Sequence, residues 1–95
     1  MDRQIKHLGH RIELGEIEEF AKTIDGVADC CALYHKEKEN LYLFYVGEAT
    51  SKDIVLRFRA AMPAFMAPRK LIQLDSLPLL PNGKTDMQTL KSYFK

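Results

Sequence analysis

The chain has 95 residues and carries 14 Lys and Arg against 13 Asp and Glu, for a net charge of +1. Its 46% hydrophobic and 28% charged residues are typical of one small globular domain and not of a disordered chain. The near-neutral charge argues against a protein that tracks nucleic-acid phosphates, and no apolar run reaches the roughly 18 residues of a membrane span.

The N-terminal residues predict a β-hairpin followed by a helix. Residues 4–8 and 10–14 each alternate polar and apolar side chains, and Gly9 between them tolerates the positive φ of a turn. The helix is predicted from an apolar stripe at helical spacing, formed by Ile17, Phe20, Ala21 and Ile24. Gly26 is its expected end.

An apolar segment at 27–34 contains the two cysteines and predicts a strand that is buried on both faces. Cys30 and Cys31 are adjacent, so their side chains should point to opposite faces of the strand and cannot pair readily with each other. There is no further cysteine for a disulfide framework or a zinc site. We therefore expect reduced thiols in a cytoplasmic protein.

The remainder of the chain predicts two more strands and two more helices. Residues 41–46 are aromatic and aliphatic, as in a central strand, and residues 69–74 predict the third strand. A helix is expected at about 51–62, with Thr50 and Asp53 as a loose capping pair. Prolines make 63–68 irregular.

The C-terminal residues predict a loop and a last helix. Residues 77–83 contain two prolines and an Asn-Gly turn, and residues 85–88 match a capping box that starts at Thr85. Met87, Leu90 and Phe94 should face inward. The predicted fold class is α+β: an N-terminal hairpin, then a small sheet of about three strands packed with three helices.

Candidate chemistry is sparse. His7, His10 and His35 have no acidic or cysteine partner at metal-ligand spacing, so surface histidines and no metal site are expected. The cluster Glu13, Glu16, Glu18 and Glu19 resembles paired carboxylates, but a solvated helix start explains it more simply. A glycine-rich phosphate loop is absent.

Lys84 differs from the other lysines because it follows Pro81-Asn82-Gly83 on a constrained turn. Alone, an Asn-Gly-Lys turn is typical of exposed loops and indicates no chemistry. Residues 2–18, DRQIKHLGHRIELGEIE, closely resemble the eighth core motif of adenylate-forming enzymes, and residues 77–86, LPLLPNGKTD, resemble the tenth. Residues 62–68 are similar to the stretch that precedes the third strand in this family. The resemblance covers essentially the whole chain.

The resemblance implies that residues 1–95 form the C-terminal lid subdomain of such an enzyme, with a hinge and hairpin at 1–14 and an α+β body at 15–95. It implies that Asp2 is the hinge, that Lys84 is the catalytic lysine of adenylate formation, and that Lys6 and Gly9 lie on the face used for thioester formation. The N-terminal ATP-binding subdomain is absent from this sequence, so we expect a piece of a longer enzyme that is inactive alone.

The same resemblance implies the partners. ATP and Mg would be bound mainly by the N-terminal subdomain, and a carboxylic acid would be activated. The motif residues look most like those of enzymes that activate amino acids. The acceptor would be the phosphopantetheine thiol of a carrier protein or CoA. No nucleic acid or membrane partner is expected. The alternative is a stand-alone protein-interaction module that uses the same fold.

Overall fold

A computed structural model describes residues 3–94. The elements in chain order are strands β1 (Gln4–His7) and β2 (His10–Glu13), helix α1 (Leu14–Lys22), strands β3 (Asp29–His35) and β4 (Asn40–Val46), helix α2 (Ser51–Ala61), strand β5 (Lys70–Leu74) and helix α3 (Met87–Lys91). Short 3₁₀ turns lie at Lys36–Lys38 and Ala64–Met66. The predicted α+β class, with a hairpin, a three-stranded sheet and three helices, is confirmed.

The sheet has β4 at its centre, antiparallel to β3 and parallel to β5. Residues 41–45 of β4 are all buried, because hydrophobic clusters cover both faces of the sheet. Cys30 packs in the larger cluster with α1 and α2, whereas Cys31 packs in the smaller one with α3. The prediction that the two thiols point to opposite faces is therefore confirmed.

The β1–β2 hairpin turns through two residues with positive φ, Leu8 at 52° and Gly9 at 80°. Positive φ at both central positions is the requirement of a type I′ turn, so Leu8 is part of the turn together with Gly9. The predicted strand at 4–8 was therefore one residue too long. Likewise, Leu14 belongs to α1 and not to the second strand, which ends at Glu13.

The helix ends differ slightly from the predictions. α1 ends at Lys22, so Ile24 lies in the turn that follows the helix, and its side chain is buried there. Thr50 caps α2 as predicted, since its Oγ1 accepts the Asp53 N–H at 3.1 Å. No helix of residues 3–94 has the length and hydropathy needed to cross a membrane.

The capping box at 85–88 was shifted by one residue, because the N-cap of α3 is Asp86 and not Thr85. The Asp86 carboxylate accepts both the N–H of Thr89 at 3.2 Å and its hydroxyl at 2.8 Å. A charged acceptor with two donors is stronger than a hydroxyl cap. The inward positions are confirmed: Leu90 is buried, and Met87 and Phe94 pack against the same cluster.

Candidate functional site

Lys84 lies on a tight hairpin loop between β5 and α3. The Leu80 N–H donates to the Lys84 carbonyl at 2.7 Å, and the Gly83 N–H donates to the Leu80 carbonyl at 2.8 Å. Gly83 has φ +87°, which the chain needs to turn back. A bridge between Leu79 and Thr85 extends the pairing. The backbone at Lys84 is thus held by hydrogen bonds on both sides of the turn.

A side chain in the same loop fixes Lys84 further. The Asn82 Oδ1 accepts the Lys84 N–H at 3.0 Å. The Lys84 side chain is exposed, and no ion pair joins its ammonium to an acid within residues 3–94. Leu79 and Leu80, which are 62% and 40% exposed, flank it. The arrangement places an exposed ammonium without an ion-pair partner among residues 3–94 on a hydrogen-bonded loop that also exposes two leucines.

The other predicted site residues lie on the N-terminal hairpin. Lys6 is exposed on β1, and Gly9 forms the turn. Together they line a cleft of about 350 Å³ with Arg11, and the space where a Cβ of Gly9 would stand is open. The structure therefore brings Lys6 and Gly9 together and leaves Lys84 on a separate loop. The predicted hinge, Asp2, lies outside the described residues.

Two of the three histidines, His7 and His35, differ from the expectation of surface positions, whereas His10 is exposed as expected. His7 is only 8% exposed, and its Nδ1 shares a hydrogen bond with the Tyr34 hydroxyl at 3.0 Å. Burial lowers the pKa of His7, and neighbouring His10 lowers it further, whereas Glu39 opposes the shift. His10 is exposed and stacks on Phe65 with a centroid distance of 3.7 Å.

His35 is partly buried and stacks on Phe94 at 4.6 Å between ring centroids. Its Nδ1 is buried without a hydrogen-bond partner among residues 3–94. Within the same residues, no group of three His, Cys, Asp or Glu side chains is arranged to hold a metal ion. The three histidines are thus spread over separate ring contacts and form no common centre.

Cys30 and Cys31 are free and buried. Burial raises the pKa of each thiol to about 12, and the nearby Glu18 carboxylate acts in the same direction. A thiol with this pKa is almost entirely protonated at neutral pH and is a poor nucleophile. The pair is therefore part of the core.

A basic groove of about 870 Å³, which no sequence pattern indicates, lies beside the hairpin turn. Its lining includes the cations Lys38, Arg59, Arg69 and Lys70, with Glu39 as the acidic residue. No ion pair neutralises these four cations within residues 3–94. They come from three separate parts of the chain, so no local charge run could have indicated the groove.

The second feature that the sequence analysis missed is the pairing of Arg3 with Glu18, which are 15 residues apart. The Arg3 Nη1 and Nη2 donate to the two Glu18 carboxylate oxygens at 2.6 and 2.8 Å. Both residues occur in the motif at 2–18, but their spacing along the chain gives no signal that the side chains meet. Only the docking of the hairpin against α1 brings them together.

Comparison with known families identifies residues 16–84 with the model described as "AMP-binding enzyme C-terminal domain". The chain is 37% identical over 95 residues to tyrocidine synthase 2 of Brevibacillus parabrevis and 41% identical to surfactin synthase subunit 1 of Bacillus subtilis. Each alignment covers 95% of this chain and 3% of the relative. The chain thus spans a very small part of these synthases.

Solved structures show the same fold. Klebsiella oxytoca NpsA in complex with 3-hydroxyanthranilyl-AMSN is similar with a TM-score of 0.85 at 28% identity, over 95% of this chain and 19% of that one. Mycobacterium tuberculosis fatty acyl CoA synthetase is similar in fold, with a TM-score of 0.80 at 20% identity, over 97% of this chain and 20% of that one.

Proposed function

The chain belongs to the AMP-binding enzyme C-terminal domain family, the C-terminal domains of adenylate-forming enzymes, and on this premise we propose that it is the mobile catalytic lid of a longer ATP-dependent ligase. The enzyme would activate a carboxylic acid, and by the motif resemblance an amino acid, as its acyl-adenylate with release of pyrophosphate. It would then transfer the acyl group to a thiol with release of AMP. The chain alone would be inactive, because the substrate-binding subdomain is another part of the enzyme.

The observation that carries this proposal is the free ammonium of Lys84 on its hydrogen-bonded loop. In the first half-reaction a carboxylate oxygen attacks the α-phosphorus of ATP, the new P–O bond forms, and pyrophosphate leaves. Negative charge accumulates on the carboxylate and phosphoryl oxygens. A positioned cation offsets that charge, and a lysine supplies it as a compact point charge with a long reach.

For the second half-reaction we assign the hairpin face to the acceptor thiol. Gly9 would leave the path of a pantetheine arm clear, and Lys6 lines the same cleft. The adjacent basic groove supports an acceptor that carries a phosphate, as phosphopantetheine does on a carrier protein or in CoA. Asp2 would be the hinge about which the lid turns between two orientations. Lys84 would face the active site in the first, and the hairpin would face it in the second.

ATP and Mg would be bound mainly by the N-terminal subdomain. The proposal requires only that Lys84 enters that site and that its ammonium contacts the reacting oxygens. Mg would supply further neutralisation of phosphate charge. The comparisons support ATP use through the family, and no residue of this chain is assigned to the metal.

The experiment is ATP–pyrophosphate exchange by the longer enzyme that carries this chain, over a panel of amino, aryl and fatty acids. Lys84→Ala should lower the exchange rate by about 10²–10³-fold, the usual effect of losing one such charge-stabilising donor. Acyl transfer from supplied adenylate should stay within about threefold of the unaltered rate, because that step uses the hairpin face.

The matched control is Lys91→Ala, which removes another exposed lysine from α3 without touching the 79–85 loop. It should leave both half-reactions unchanged. Equal loss of both half-reactions in Lys84→Ala would contradict the assigned role. Absence of pyrophosphate exchange with every acid of the panel would contradict the assignment as a ligase and favour the alternative of a protein-interaction module.

A further inference from the structure

A closed set of hydrogen bonds, which we call the Arg3–Glu18 clamp, joins these two side chains to the backbone N–H and carbonyl of Ala32. The guanidinium donates to both Glu18 oxygens and, through Nη2, to the Ala32 carbonyl at 2.6 Å. The Ala32 N–H donates to the Glu18 Oε2 at 2.7 Å. Both side chains thus bond to each other and to the same residue of β3.

The clamp lies on the free edge of the sheet. β3 is an edge strand, and the Ala32 groups bonded by the clamp would otherwise be unpaired there. The side chains of Arg3 and Glu18 are only 24% and 17% exposed. The hydrogen bonds that Arg3 donates to the Glu18 carboxylate raise the pKa of Arg3. A bidentate pair at this burial restricts both side chains to one geometry.

A backbone bond holds the same point of the chain. The Leu14 N–H donates to the Arg3 carbonyl at 3.2 Å, at the first residue of α1. Gln4 follows as the first residue of β1, and its Nε2 donates to the Glu13 Oε1 at 2.7 Å. From Arg3 onward, the chain is attached to the body of the domain by side chains and backbone together.

We propose that Arg3 and Glu18 are positioning residues that hold the start of the described chain against β3 and α1, so that residues 3–94 move as one rigid body when the lid turns. This inference rests on the proposed function, in which Asp2 is the hinge. A lid that is firmly attached one residue after its hinge reaches each working orientation with Lys84 or the hairpin in a defined place. A loosely attached lid does not, so the rates of both half-reactions fall.

The attachment is tested on the 95-residue chain by amide hydrogen exchange, with no activity required. Arg3→Gln and Glu18→Gln should each raise the exchange rate of the Ala32 amide at least about tenfold relative to the amides of β4. The matched control is Lys22→Gln, which removes the exposed ion pair between Lys22 of the same helix and Asp29 of β3 and should leave the exchange rate of the Ala32 amide unchanged. Equal acceleration of Ala32 and β4, or none, overturns the clamp.

The lid role is tested on the longer enzyme. Arg3→Gln should lower kcat of pyrophosphate exchange and of acyl transfer about tenfold each, with the KM for acid and ATP unchanged, because the lid is misplaced and not the substrates. Lys22→Gln should leave both rates within about twofold. The exchanged pair Arg3→Glu with Glu18→Arg should recover most of both rates, whereas Arg3→Glu alone should not.

The outcomes separate the two proposals. Pyrophosphate exchange that disappears in Lys84→Ala but persists unchanged in Arg3→Gln overturns the positioning role of the clamp and leaves the proposed function standing. Absence of pyrophosphate exchange by the unaltered enzyme overturns the proposed function and the lid role with it. The amide hydrogen-exchange result then still decides whether the clamp holds the chain. Loss of only one half-reaction in Arg3→Gln also overturns the inference, because a rigid attachment serves both.

Discussion

The carbonyl oxygen of Gly26 occupies the space where a Cβ atom on Gly47 would lie, and the carbonyl carbon of Gly26 would be only 2.9 Å from that atom. Gly47 also has φ +131°, which other residues rarely adopt. The neighbouring backbones are joined by the Ala28 N–H to Val46 carbonyl bond at 2.7 Å. The loop before β3 and the loop after β4 can therefore approach this closely only because Gly47 lacks a side chain.

Gly47→Ala should lower the free energy of unfolding by about 3 kcal/mol or more, because an unfavourable φ and a backbone overlap add together. Urea unfolding of the chain measures it. The matched control is Gly83→Ala, at φ +87° with open space around the Cβ, where only the conformational penalty of about 1–2 kcal/mol applies. Equal losses in the two variants would contradict the overlap.

The two thiols should react slowly in the folded chain. A pKa raised from 9.0 to about 12 reduces the thiolate fraction at pH 8 by about 10³, and burial blocks access as well. The rate with an aromatic disulfide reagent, compared with that of a free thiol such as glutathione, checks this. Both cysteines should react rapidly in guanidinium chloride. Rapid labelling of either thiol without denaturant would contradict their burial.

The stability of the chain should fall as the pH drops below about 6.5. Burial lowers the pKa of His7 in the folded state, so the unfolded chain binds the proton first as the pH falls and its free energy drops relative to that of the native state. His7→Gln should reduce the difference between the free energies of unfolding measured with urea at pH 7.5 and at pH 5.5. His10→Gln should reduce that difference less, because it removes only the smaller contribution to the His7 shift. A decline of the same size in the His7 variant would show that other groups cause it.

The 95-residue chain alone should not bind ATP at micromolar concentration. Its proposed contact with the nucleotide is one exposed lysine, and a single charge pair in water is worth only about 1 kcal/mol. Titration calorimetry with the chain, beside the longer enzyme as a positive control, measures the affinity. A micromolar Kd for the chain would mean that it contains a nucleotide site of its own.

Local patterns in the sequence predicted most of the elements. The hairpin, the three strands and α2 were placed within one or two residues, because alternation, helical spacing and capping depend on neighbours along the chain. The long motifs at 2–18 and 77–86 identified the family, which the match to residues 16–84 confirms. The roles given to Asp2, Lys6, Gly9 and Lys84 stay predictions.

The misses came from interactions between residues that are distant in sequence. The burial of His7 depends on Tyr34, and the Arg3–Glu18 clamp depends on the docking of the hairpin against α1 and β3. The basic groove requires cations from three segments to meet. Sequence by itself determined the elements and the family, since both depend on patterns of residues that are close together along the chain. Only the tertiary structure decided which charges are paired, which are free and which thiols and rings are buried, because those depend on distances across the fold.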